Sequence, residues 1–194
     1  MKQWLYGVVI ALCLGSGSLS AREIAGVEIP DASSMAGGEQ SLQLNGAGVR
    51  YKFIFKIYIG ALYLPQAGHA ADAVINHSGE KRILMHFLYD RVNREDLADA
   101  WREGFEDNLT GPELEMLKPR IEAFTRLFPD AVEGDRIWID RLPGGDTRVT
   151  INGVEQGRVP GGDFYPALMK IWLGDDPVTV ELKRAMLGQG ADES

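Results

Sequence analysis

Apolar residues recur along the chain with two different periods, and the periods divide it into strands, helices, strands and helices again. From Val49 to Leu64 the chain is rich in β-branched and aromatic residues, which suits one long strand. Its odd positions Tyr51, Phe53, Phe55, Ile57 and Ile59 are all apolar, while the even positions Arg50, Lys52, Ile54, Lys56 and Tyr58 are mixed. Alternation of this kind predicts one buried face and one partly wet face. Gly60 permits a bulge or bend near the strand's end. Upstream, Asn45-Gly46 is a hairpin signal. Residues 22–30 (REIAGVEIP) read as a single first strand ended by Pro30, and 31–40 as a polar, Gly-rich loop. Residues 71–77 suit a turn or two of helix, and 81–89 (KRILMHFLY) a further strand.

Two amphipathic helices come next. Asn93 is the expected N-cap of the first, with Glu95 and Asp96 at the positive end of its dipole. Its apolar stripe is Leu97, Trp101, Phe105 and Leu109. Thr110-Gly111-Pro112-Glu113 fits a capping box with proline in the first turn. The stripe that follows is Leu114, Leu117, Ile121, Phe124 and Phe128, and Pro119 is expected to kink or break it. Residues 135–142 and 146–152 form a hairpin pair across Pro143-Gly144-Gly145, with a short strand at 154–159. Helices over about 163–173 and up to about Leu187 close the chain. Nothing alternates as βαβ, and no linker divides the sequence. An α+β domain with an antiparallel sheet is the reading.

The N-terminus changes how the composition is counted. Residues 1–21 have Lys2 as a short positive region, an apolar run from Trp4 to Leu14, and small residues to Ala21. This is the pattern of a secretory signal peptide, with a cut near Ser20 or Ala21, too short to span a bilayer. The expectation is therefore a signal at 1–21, a single domain at 22–194, and export to a periplasm, with no stable membrane insertion after cleavage. Cys13 is the only cysteine, so the remaining chain has no disulfide, thiolate nucleophile or cysteine-ligated metal. The formal net charge is −8. That balance argues against nucleic acid, which needs clustered Lys and Arg. The sequence has no G-x-S-x-G elbow, Walker loop, H-E-x-x-H or complete dinucleotide fingerprint. The three histidines, His69, His77 and His86, are scattered. We expect no metal and no cofactor.

The segment GAGVRYKFIFKIYIGALYLP (46–65) resembles the signature strand of the chalcone isomerase-like superfamily, in particular its exported bacterial branch. The similarity continues through WREGFEDN (101–108), LKPRI (117–121), ALMKIWLGDDPV (167–178) and LKRAMLG (182–188), in order and spacing. The resemblance implies an open-faced β-sandwich, an antiparallel sheet with helices packed on one face, and a ligand cleft between them. In the plant isomerases an arginine after Gly-Val positions a phenolate, and Arg50 in Gly48-Val49-Arg50 matches it. Plastid relatives bind fatty acids with that arginine and a tyrosine in a K-x-Y strand, which Lys56-Ile57-Tyr58 matches. The isomerases carry threonine where Tyr58 stands, and this sequence is about four residues shorter between the two positions. Their remaining catalytic groups have no counterpart here, the stretch before the first large helix reading Arg91-Val92-Asn93.

The resemblance thus makes Arg50 and Tyr58 the candidate ligand-binding pair, for a small apolar ligand with an anionic head such as a fatty acid. Arginine suits that task because its planar fork makes two charge-assisted hydrogen bonds and stays protonated. Trp101, Phe105 and Trp172 are candidate cleft-lining residues. An alternation problem stands against this: Arg50 and Tyr58 lie on the even side, whereas the odd side has the apolar character expected under the helices. A bulge at Gly46, Gly48 or Gly60 would re-aim Arg50. The plainer alternatives are an Arg50 paired with a carboxylate and a Tyr58 that is only a sheet residue. At the level of function they are an isomerase or lyase for phenolic or enone-like substrates, or an envelope interaction module with no ligand.

Overall fold

A computed structural model describes residues 21–190. The expected signal peptide lies outside them, apart from Ala21. The expected single first strand is instead a hairpin, β1 (Ala21–Ile24) and β2 (Val27–Pro30). Ala25 and Gly26 turn it with φ of 50° and 82°, a chain reversal that the alternation alone does not signal. Within the loop expected at 31–40 lies a short strand, β3 (Ala32–Ser34).

The long strand expected from Val49 to Leu64 is two strands. β4 spans Ser41–Lys52 and β5 Phe55–Leu64, joined by the two-residue loop Phe53-Ile54. The reversal hides in the sequence because an aromatic and a β-branched residue occupy the turn. Conversely, Asn45-Gly46 is not a hairpin turn but lies inside β4, where the register with β5 shifts between Leu44 and Gly46.

The rest follows the expected order. Helix α1 (Ala71–Asn76) precedes β6 (Lys81–Phe87) and the two-residue β7 (Arg91–Val92). α2 (Arg94–Asn108) starts at Asn93, whose side chain accepts from Asp96 N at 2.8 Å. α3 (Gly111–Thr125) has the Thr110–Glu113 capping box, and Pro119 does not break it. β8 (Ala131–Val132) pairs with β7. β9 (Arg136–Arg141), β10 (Thr147–Ile151) and β11 (Val154–Val159) form a meander, and α4 (Phe164–Leu173) and α5 (Val180–Met186) end the fold.

Seven strands form one antiparallel sheet in the order β11-β10-β9-β6-β5-β4-β3. One face carries Leu62, Ile83, Met85, Phe87, Ile139 and Val149 against the apolar stripes of the helices. This is the α+β open-faced sandwich with helices on one face. The other face is not bare. Leu42, Ile59, Ala61, Tyr63 and Leu84 pack there with Ile29 and Met35 from the N-terminal segment. That segment is clipped down by a buried ion triad. Asp140, fully buried, accepts from Arg82 Nε at 2.6 Å and from an Arg148 terminal nitrogen at 2.6 Å. The same arginines donate onward to Ser34 O and Ala36 O. None of the described helices is long and apolar enough to cross a membrane.

Candidate functional site

Two bulges resolve the alternation problem. In β4, Asn45 is the extra residue: Leu44 pairs with Tyr63 and Gly46 with Leu62, leaving Asn45 without a partner. A one-residue insertion flips every later side chain to the opposite face. Leu42 and Leu44 therefore face the N-terminal segment, and beyond the bulge so do Ala47 and Val49. Gly46, Gly48 and Arg50 are turned toward the helices. The Asn45 amide holds the bulge by three bonds: Nδ2 donates to Gly68 O (2.9 Å) and Met186 O (2.8 Å), and Oδ1 accepts from Gly68 N (2.8 Å). Gly46 is needed because a Cβ there would lie 2.0 Å from Ala185 O of α5. The second bulge is in β5, where Arg50 pairs with Tyr58 but Tyr51 with Lys56, so Ile57 is the extra residue. Ile57 and Tyr58 consequently both join the core under the helices. Arg50 and Tyr58 end up as direct cross-strand neighbours on the helical side.

They border a cavity of about 610 Å³ between the outer end of the sheet, α2 and the α4–α5 connection. Its apolar wall is Ile57, Met85, Phe87, Leu97, Trp101 and Ile171. α2 can come this close to α4 because Gly104 has no side chain: a Cβ there would sit 2.9 Å from Ile171. The size lies within the ordinary range for small-molecule sites, about 300–1,000 Å³.

Tyr58 is 5% exposed. Its hydroxyl accepts a hydrogen bond from Trp172 Nε1 at 2.9 Å and donates to no described residue. The guanidinium carbon of Arg50 lies 5.7 Å from the Tyr58 ring centre. Burial raises the Tyr58 pKa, against the lowering by the nearby Arg50 charge and the Trp172 bond, so the phenol keeps its proton and remains a donor. Arg50 itself is half-buried and makes no ion pair or side-chain hydrogen bond with a described residue. Trp101 is also buried at this wall, and its indole Nε1 has no partner among the described residues.

Of the residues expected to line the cleft, Trp101 borders the cavity, whereas Phe105 and Trp172 do not. Phe105 packs behind the wall against Phe124 and Phe164. Trp172 is fully buried and reaches the site through its bond to Tyr58 and its edge-to-face packing on Trp101. Sequence reasoning also missed the rim. Lys52, Phe53 and Phe55 border the cavity on the sheet side, and Asp96, Asp99, Glu103 and Asp107 of α2 on the other. The α2 carboxylates recur at helical spacing and read in sequence as a solvated face. Among the described residues no group of three or more His, Cys, Asp or Glu is placed to hold a metal ion.

The sequence profile of the chalcone isomerase-like family matches residues 21–188. The chain belongs to the chalcone isomerase-like family. No curated protein matches it. Among solved structures, a fatty-acid binding protein of Arabidopsis thaliana shares the fold with a TM-score of 0.61. The similarity covers 86% of this chain and 94% of that one, at 16% identity. Nearly the whole length of that protein is thus superposed on this one.

Proposed function

We propose that this chalcone isomerase-like protein binds, without turnover, an apolar ligand with an anionic head such as a fatty acid, and that it does so after export. The observation that carries the reading is a pair of unspent donors at one end of an apolar cavity. Arg50 faces the helical side with no carboxylate partner among the described residues, beside a Tyr58 hydroxyl whose proton has no acceptor. A half-buried cation and a buried phenol without acceptors are costly to leave unsatisfied, and a carboxylate satisfies both. The apolar wall receives the chain of the ligand. The Arabidopsis relative, named as a fatty-acid binding protein, supports the choice of ligand class. Export rests on the character of residues 1–21.

The acidic side of the rim restricts where the head can sit. Asp96, Asp99, Glu103 and Asp107 repel an anion near α2, so the head belongs on the sheet side, at Arg50. Native mass spectrometry of protein recovered from its own cells is the test. The expected spectrum contains an adduct that releases an apolar acid, and Arg50→Gln loses it while melting like the wild type. Protein that emerges bare, or an Arg50→Gln variant with the same adduct, would sink the assignment.

A further inference from the structure

We propose that the tip of the β4–β5 hairpin docks this protein on an anionic lipid surface, with Phe53 and Ile54 entering the interface and Lys52 and Lys56 meeting the headgroups. The proposal does not require the cavity to hold a ligand.

Phe53 is 90% exposed and Ile54 84%, with Phe55 at 50% and Tyr51 at 45% beside them. Four large apolar side chains at one hairpin end are more than scattered surface hydrophobics account for. The turn is also poorly made for water. Phe53 has φ of +57° at the first loop position, where two-residue hairpin loops with this geometry ordinarily take glycine. A bulky residue in the left-handed region is an outlier that local stability does not favour. Glycine or asparagine there would relieve the backbone and remove the exposed ring, so the phenylalanine points to a contact outside the chain.

Charge indicates what that contact is. Lys52 and Lys56 flank the tip, are exposed, and pair with no carboxylate among the described residues, in a chain of net charge −8. Free lysines beside an aromatic and aliphatic point match the layering of a membrane interface: apolar groups below, ammonium groups at headgroup level. A protein partner would need roughly 800 Å² on each side, which a point of four side chains does not offer. The α2 carboxylates across the mouth are repelled by the same surface, which confines contact to the hairpin and makes binding salt-sensitive. Lys52, Phe53 and Phe55 border the cavity, so a docked tip brings the cavity mouth to the lipid.

Vesicle co-sedimentation tests this with the chain from Ala21 to Ser194. That form contains both apolar cores and omits the apolar run Trp4–Leu14, which would bring its own membrane affinity. The probes are phosphatidylcholine vesicles with and without about one-third phosphatidylglycerol. Binding is expected on the anionic vesicles and is expected to weaken with salt. Lys52→Gln with Lys56→Gln should lower the partition coefficient about 20- to 30-fold. Phe53→Asn with Ile54→Ser should lower it at least about tenfold. Since asparagine suits the left-handed region, this second variant should melt no lower than the wild type, which separates lost docking from lost fold. Phe53→Trp should give a blue-shifted emission quenched by brominated lipid. Failure to bind anionic vesicles, tip variants that bind like the wild type, or a tip variant that abolishes only self-association or capture of a protein would overturn the proposal.

Discussion

Replacing Asn45 by alanine separates the stability of the fold from the aim of Arg50. The substitution removes three hydrogen bonds and leaves Gly68 N, Gly68 O and Met186 O without their partner. The site is part-buried, so each group is charged at about 1 kcal/mol, the low end of the range for unsatisfied groups, and the loss is about 3 kcal/mol. That is a large share of a total stability of about 5–15 kcal/mol. For a domain of this size it lowers Tm by about 6–12 °C, and it lowers the urea midpoint with an unchanged m value. The bulge itself should persist, because α5 dictates the same register. A Cβ at Gly46 would come within 2.0 Å of Ala185 O, and one at Gly48 within 2.6 Å of the Ala185 side chain. A strand slipped by one residue would push Ala47 or Val49 into that space. Arg50 therefore keeps its direction, and ligand affinity measured well below the melting temperature should change by less than about twofold. A stability loss below about 0.5 kcal/mol would refute the hydrogen-bond reasoning. A folded variant that no longer binds would refute the claim that glycine packing fixes the register.

Two further predictions concern buried charge. Lys81 is fully buried and donates to Val74 O at 2.7 Å and Ile75 O at 2.8 Å; desolvation and the Arg141 charge pull its pKa from 10.5 down to about 7. Between those values the unfolded chain holds a proton that the folded one lacks, so stability rises with pH through this window and is lowest below it. Lys81→Met should flatten that slope in urea titrations at about pH 7 and about pH 9.5, and an unchanged slope would assign it elsewhere. Asp140→Asn leaves Arg82 and Arg148 buried without their shared countercharge, at a cost of about 3–5 kcal/mol. Thermal melts should show it as the more damaging of the two substitutions, and a variant that melts like the wild type would contradict the triad's role.

Much of the fold was legible where local chemistry and tertiary packing agree. Asn93 caps α2 because its side chain accepts from a first-turn amide, and at the start of α3 the Glu113 carboxylate accepts from the Thr110 backbone and hydroxyl, signals that depend on a few adjacent residues. The β9–β10 hairpin carries its own turn residues at Pro143-Gly144-Gly145. In the β4–β5 region the two levels conflict. Asn45-Gly46 has turn composition but lies in a strand, where the glycine is required by the approach of α5. Phe53-Ile54 has strand composition but forms the turn. Arg50 and Tyr58 could be named from the resemblance, but two bulges were needed to put them on the helical side, and the change of phase from Leu42 and Leu44 to Ala47 and Val49 spans too few residues to mark the first bulge by itself. Trp172 could be placed on an apolar stripe, yet its bond to Tyr58 spans 114 residues and only the folded chain brings the two together.

In the proposed binding mode Arg50 and Tyr58 hold the charged head of an apolar ligand. Calorimetric titration with dodecanoate and with dodecan-1-ol tests it most directly, because the two ligands share a chain and differ in the head. Wild-type protein should prefer the carboxylate, and Arg50→Gln should weaken it by about 1.5–3 kcal/mol, roughly 10- to 150-fold, while changing the alcohol little. Tyr58→Phe should weaken the carboxylate by about 0.5–1.5 kcal/mol. Equal affinity for the two ligands in the wild type, or the same loss for both in Arg50→Gln, would contradict the account.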